Sequence, residues 1–230
     1  LYAFQAIKTL TKSKWVLLAY IVVSVVAIVF ITYELMKFDR SVGQTKMTLI
    51  TMGILLLVLL PKLVLTFVML MEDVLRLMMG TVNHFMGHNS DSFLPARRKF
   101  VSQVALGIAA VPFLSLIYGM SVGRYNFKVI RQTLFFPDLP EAFEGFKVTQ
   151  ISDVHSGSFD NEEKIKYAID LINEQESDLL LFTGDIVNAK ADEMHPWIDT
   201  FKGLKNFEHG KYSILGNHDY GAYLDWKSEK

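Results

Sequence analysis

The sequence predicts an α/β protein in two parts, a set of N-terminal transmembrane helices followed by a domain built on a parallel sheet. Three observations point there. Long uncharged apolar stretches fill the first half of the chain. In the second half, short apolar runs alternate with helical patterning, the signature of strand–helix–strand units. Charge also divides the chain: residues 1–131 hold 14 Lys and Arg against 5 Asp and Glu, a net of +9, whereas residues 132–230 hold 9 against 19, a net of −10. A basic, apolar first part suits a membrane with anionic lipid, and an acidic second part argues against a nucleic-acid-binding face. Cysteine is absent, which excludes a disulfide framework and a thiolate metal site. The expected division is a membrane region over 1–123 and a soluble domain over 124–230.

The elements follow in order. Leu1–Lys14 is a basic flank carrying Lys8, Lys12 and Lys14. Trp15–Tyr33 has no charge and no polar stripe, and its nineteen residues match a hydrocarbon core of roughly 30 Å. Trp15, Tyr20 and Tyr33 suit the interfaces. Glu34–Lys46 reads as a polar loop. Met47–Met71 is the second span, interrupted by Pro61 and Lys62. A lysine at that depth snorkels or pairs with an acidic residue on a neighbouring segment, unless it serves a function. Glu72 and Asp73 mark the exit. Thr81–Pro95 reads as a loop, and its His84 and His88 lack the context of a metal site. Phe100–Gly123 is the third span, twenty-four residues without a charge.

That span is entered by Ala96-Arg97-Arg98-Lys99-Phe100-Val101. The string resembles a twin-arginine export signal and equally a plain basic stop at a membrane boundary. Either way the basic triplet favours the cytoplasmic side, which places the following domain outside the cytoplasm. Lys37, Arg40, Lys46, Arg124, Lys128 and Arg131 pull the other way, so a cytoplasmic domain stays open.

In the second half, Val129–Phe136 reads as a first strand, and Phe146–Ser152 as a strand pairing back on it. Asp160 or Asn161 can cap the helix Glu162–Gln175, which aligns Ile165, Ala168, Ile169 and Ile172 on one face. Leu179–Phe182 and Lys211–Leu215 read as further strands, and Ala189–Leu204 as a looser helical region. His195 and His209 have no motif around them.

Chemistry gathers just past three strand ends. The blocks are Ser152-Asp153-Val154-His155, then Gly184-Asp185-Ile186-Val187-Asn188, then Gly216-Asn217-His218-Asp219. Open α/β sheets hold their sites at the carboxyl ends of strands. Carboxylate, imidazole and amide oxygen are hard and borderline ligands that suit manganese, iron, zinc or magnesium. One carboxylate can bridge two ions about 3.5–4 Å apart. Gly184 and Gly216 allow sharp backbone turns at the site.

Asp-x-His, Gly-Asp-x-x-Asn and Gly-Asn-His-Asp, in that order, resemble the calcineurin-like metallophosphoesterase superfamily, in its membrane-anchored bacterial form. Asn188 stands where many members carry Asp. The resemblance implies that Asp153 and His155 bind a first metal, Asp185 bridges, and Asn217 binds a second. It implies that His218 faces the substrate phosphate as acid or charge stabiliser, with Asp219 helping to orient it. The remaining metal-binding histidines are expected beyond Lys230. The implied fold is a four-layer α/β/β/α sandwich, of which residues 124–230 would be the first half.

The implied function is metal-dependent hydrolysis of a phosphate ester at a centre of two divalent ions, manganese first among the candidates. The substrate could be a phosphodiester, a pyrophosphate or a phosphomonoester, and membrane tethering points to one that is lipid-linked. The alternative is a membrane transport or sensing protein whose phosphoesterase-like domain binds ligand without turnover. Lys62 within a span is the feature that supports it.

Overall fold

The computed structural model describes residues 2–86 and 95–226, and the chain divides into two compact units. One comprises Leu1–Lys37 with Ile50–Gly123, the other Phe38–Leu49 with Arg124–Lys230.

The first unit is helical. Helix α1 is Tyr2–Leu10, α2 is Lys14–Met36, α3 is Lys46–Phe85 and α4 is Pro95–Ser121. Among the described residues, three helices are long and apolar enough to cross a membrane: Lys14–Met36, Lys46–Phe85 and Arg97–Ser121. Their most apolar windows are only 6%, 11% and 17% buried within the protein, so most of their apolar surface faces outward. In a bilayer that surface meets lipid, and helices keep their backbone polar groups satisfied there.

Helix α3 is longer than the sequence reading allows. It continues through Pro61 for 40 residues, so Thr81–Phe85 are helical rather than loop. At 1.5 Å per residue it spans about 60 Å, twice a hydrocarbon core, so its charged second half extends beyond the apolar layer. The rest of the expected loop, with His88, Asn89, Ser90 and Asp91, lies outside the described residues.

Small side chains let α1, α3 and α4 approach: Ala3, Ala6, Ala105 and Ala109 meet Leu65 and Met69. Beside this core lies an ion cluster. Arg76 pairs with Glu72 at 2.9 Å and with Asp73, and Arg98 reaches Asp73 at 3.1 Å. Tyr2 donates to Asp73 at 2.8 Å, and Arg98 donates to Gln5 at 2.8 Å. Glu72 is 7% exposed, and its charge is tolerated because two guanidinium groups face it. Lys62 donates to Ser24 Oγ at 2.9 Å and lies 5.5 Å from the Tyr20 ring. Its partner is therefore a hydroxyl on α2, not the acidic residue allowed for by the sequence reading.

The second unit holds a three-stranded sheet in the order β1 (Val148–Ile151), β2 (Leu179–Phe182), β3 (Lys211–Ser213), with every pairing parallel. Ile151 pairs with Phe182, and Phe182 with Ser213, so all three strands end at one edge. Helix α5 (Glu162–Asn173) joins β1 to β2 and buries Ile165 and Ile169. Asn161 is its N-cap, its side chain accepting from Lys164 N at 3.0 Å. Between β2 and β3 lie a 3₁₀ segment (Ala191–Trp197) and the short α6 (Ile198–Phe201).

Val129–Phe136 is not a strand. Strand propensity records how well side chains fit a half-buried pleat, and here nothing supplies one. Ile130 and Phe135 are almost fully exposed, and among the described residues β1 pairs only with β2.

Candidate metal centre

The ladder between β1 and β2 does not stop where the strands end. Asp153 N donates to Gly184 O at 3.0 Å, His155 N to Asp185 O at 3.0 Å, and Ser156 N to Ile186 O at 2.9 Å. These bonds hold the first block against the second. They also hold three non-glycine residues in the left-handed region: Asp153 at φ 54°, His155 at 47° and Asp185 at 61°. Such conformations cost on the order of 1–3 kcal/mol each and persist only where surrounding contacts impose them.

The second and third blocks meet backbone to backbone. Gly184 has φ +102°, and a Cβ there would lie 2.6 Å from Gly216 Cα. A Cβ on Gly216 would lie 2.5 Å from Asp185 N. Gly184 thus meets both a conformational need and a need for space, whereas Gly216 meets a need for space.

Asp219 secures this junction. Its carboxylate accepts from Asp185 N at 2.7 Å, Ile186 N at 2.8 Å, Val187 N at 3.4 Å and Gly216 N at 2.8 Å. Burial opposes its charge, but the four N–H donors outweigh that and hold its carboxyl below the usual carboxylate range. Asp219 therefore bears on His218 through the backbone rather than through the imidazole ring.

The side chains left over converge. Asp185 is buried; its Oδ1 accepts from His218 N at 2.8 Å, which leaves Oδ2 facing His155 Nε2 at 3.9 Å. His155 Nε2 is also 3.9 Å from Asp153 Oδ1, and the Asp153 side chain is largely exposed. One ligand atom each from His155, Asp185 and His218 lie within 4.8 Å of one another. The His155 and His218 rings meet edge to face, with centroids 4.7 Å apart. His218 Nδ1 lies 2.6 Å from Asn188 O, an acceptor, so Nδ1 carries the hydrogen and Nε2 is left for other work. Among the described residues the ion-pair partner of Asp153 and Asp185 is His155 rather than Lys or Arg, and the cluster's donors are the carboxylate and imidazole groups that divalent ions of intermediate hardness take.

The remaining sequence candidate, Asn217, is exposed; its Nδ2 donates to Tyr223 OH at 2.7 Å, which leaves its Oδ1 available. Tyr223 also lies against the His218 ring at 4.5 Å. Nothing in the sequence singles this tyrosine out. Asn188, the departure from the family pattern, turns its amide away to Ser158 Oγ at 3.0 Å, and its carbonyl does the work at His218.

A parallel sheet that gathers two carboxylates and two imidazoles beyond its strand ends, in a chain that also carries membrane-length helices, defines a membrane protein with a candidate divalent-metal centre. The chain belongs to the calcineurin-like phosphoesterases. Residues 1–124 match the family described as "Probable Calcineurin-like phosphoesterase, transmembrane domain", and residues 146–230 match "Calcineurin-like phosphoesterase". The metallophosphoesterase resemblance and the α/β fold read from the sequence are borne out.

Among curated proteins, the chain is 33% identical over 133 residues to "Uncharacterized metallophosphoesterase YkuE" of Bacillus subtilis (strain 168), covering 56% of this chain and 46% of that protein. It is 27% identical over 117 residues to "UDP-2,3-diacylglucosamine pyrophosphatase LpxG" of Chlamydia muridarum, covering 51% and 36%. A "Transmembrane protein with metallophosphoesterase domain" of Danio rerio is 25% identical over 104 residues, covering 45% and 24%. The chain spans less than half the length of these relatives. No solved structure matches it.

Proposed function

We propose that this protein is a membrane-anchored, metal-dependent hydrolase of phosphate esters. The observation that carries the reading is the convergence of His155, Asp185 and His218, with Asp153 beside them. In this reading residues 124–230 form the catalytic domain and residues 1–123 the membrane region. Asp153, His155 and Asp185 would hold one divalent ion, and Asp185 with Asn217 would contribute to a second. Bound ions of this kind polarise phosphoryl oxygens and lower the pKa of an attacking water. Manganese is the ion we assign first.

The chain's own residues do the rest. Asp219 and the two glycines fix the Asp185 and His218 backbones at one spacing. His218, with Nδ1–H donated to a carbonyl, presents Nε2 to the phosphate; as the imidazolium it would pass its Nε2 proton to the leaving oxygen and be left as the neutral Nδ1–H tautomer. Tyr223 covers one face of that ring. A lipid-linked phosphate or pyrophosphate is the substrate class we assign, on the membrane-length helices and on the name of the Chlamydia relative. The basic triplet Arg97–Lys99 supports a catalytic domain outside the cytoplasm.

The test uses the full-length protein. Manganese-dependent hydrolysis of bis-p-nitrophenyl phosphate and p-nitrophenyl phosphate is assayed beside Asp185→Asn. Turnover that needs metal and falls by roughly a thousandfold or more in the variant supports the reading, since each 1.4 kcal/mol lost from the transition state is tenfold. Metal-independent turnover, or a variant as active as wild type, overturns it.

A further inference from the structure

We infer that Glu193 is a positioning residue for His218, acting through the carbonyl of Asn188. The inference rests on the reading of this site as a phosphoesterase centre, and it adds a residue that none of the three sequence blocks contains.

Glu193 lies in the 3₁₀ segment Ala191–Trp197. Its carboxylate accepts three consecutive backbone N–H groups: Asn188 at 2.6 Å, Ala189 at 3.1 Å and Lys190 at 3.1 Å. The ordinary account is a capping box, in which a glutamate accepts from the backbone of the residue three positions earlier. That account covers Lys190, and it leaves Asn188 and Ala189 unexplained. A helix cap has no use for N–H groups upstream of the cap residue. A turn whose carbonyl must point in one direction does.

The carbonyl concerned is Asn188 O, 2.6 Å from His218 Nδ1. A carbonyl only accepts, so this contact fixes the hydrogen on Nδ1 and sets the plane of the ring. Two further hydrogen bonds hold the same turn. The Asn188 amide donates to Ser158 Oγ at 3.0 Å. Lys190 Nζ donates to Ser41 O at 2.9 Å, from the loop that precedes α3 and belongs to the same compact unit. Gly157 leaves room for the carboxylate, because a Cβ there would lie 2.7 Å from Glu193 Cδ. The turn is thus held by charge-assisted bonds to the Glu193 carboxylate and from the Lys190 ammonium, and by the Asn188–Ser158 bond.

The test compares two substrates in the full-length protein. An alkyl phosphate has a poor leaving group that needs a proton, whereas p-nitrophenyl phosphate leaves with little help. In Glu193→Gln and Glu193→Ala, kcat for the alkyl ester is expected to fall roughly tenfold to a hundredfold, the cost of misplacing a catalytic group by about an ångström. The aryl ester should lose much less, and KM and metal content should hold. Gly157→Ala, which crowds the same carboxylate, should show the same selective loss. Nitrogen NMR of the histidine-labelled, metal-free protein gives a readout independent of activity: His218 should be protonated at Nδ1 in wild type and a mixture of tautomers in Glu193→Ala. Equal losses on both esters, or losses that track metal content, would overturn the inference, as would an unchanged tautomer. If wild type turns over neither ester, the functional reading fails, and the tautomer alone decides the role of Glu193.

Discussion

In the helical unit, Glu72 and Asp73 face Arg76 and Arg98; in the sheet unit, Asp153 and Asp185 face His155 and His218. Both clusters mix carboxylates with nitrogen groups, yet they are built on opposite terms. In the first, each carboxylate has a guanidinium within 3.1 Å or less, and Tyr2 and Gln5 take up further donors and acceptors. Such a cluster is complete without a ligand. In the second, the nearest carboxylate–imidazole separations are 3.9 Å, too long for hydrogen bonds. Strained backbone, a paired glycine contact and a fully used Asp219 hold those groups together all the same. A protein accepts that arrangement when something else completes it. The contrast between a closed network and an open one separates structural charge from functional charge more sharply than residue types do.

Breaking each cluster should therefore give different phenotypes. The largest effect expected is at the open one: His218→Gln should lower kcat by about 10²–10⁴-fold, the usual contribution of a general acid. Steady-state kinetics on aryl and alkyl phosphates checks it, and thermal stability should stay close to wild type.

At the closed cluster the signs reverse. Arg98→Ala leaves a buried carboxylate without one of its two cations. It should cost on the order of 3 kcal/mol of stability, read as a lowered unfolding midpoint in detergent. The protein that remains folded should keep its kcat.

The smallest effect concerns Asp160, whose carboxylate accepts from Tyr125 OH at 2.6 Å and pairs with Arg124 at 2.6 Å. The Tyr125 hydrogen bond, and then Arg124, outweigh partial burial and hold its carboxyl below the usual range. A depressed carboxylate pKa contributes stability above the unfolded value, and that contribution is lost as pH falls toward the folded one. The pair is more than a third exposed, so Asp160→Asn should cost under about 1 kcal/mol at neutral pH. Thermal melts between pH 7 and pH 3 should show a shallower acid decline in the variant.

These clusters were not equally legible in the sequence. The three blocks could be read because each follows an apolar run and each keeps its metal-ligand residue types in a fixed order. The helical spans could be read because charge is absent over a membrane's width. The ion cluster could not, because its partners lie in sequence as far apart as Gln5 and Arg98. Nor could the roles of Tyr223, Glu193 and the Asn188 carbonyl, since backbone acceptors and long-range contacts leave no mark on residue type. Val129–Phe136 misled for a related reason: its β-branched and aromatic residues announce a strand, but pairing needs an edge to join. Asp219 stands within a motif block, but its partners leave no mark on residue type. Its donors are four backbone N–H groups, from Asp185, Ile186, Val187 and Gly216.

The most direct test of the open site is its metal content. Full-length wild-type protein and Asp185→Asn would be purified side by side, equilibrated with manganese, desalted and analysed by atomic emission. Two divalent ions retained per wild-type chain, with loss of both or of the more weakly held one in Asp185→Asn, is the result expected of a carboxylate that bridges two ions. No retained metal in wild type, or equal retention in the two proteins, would contradict the account.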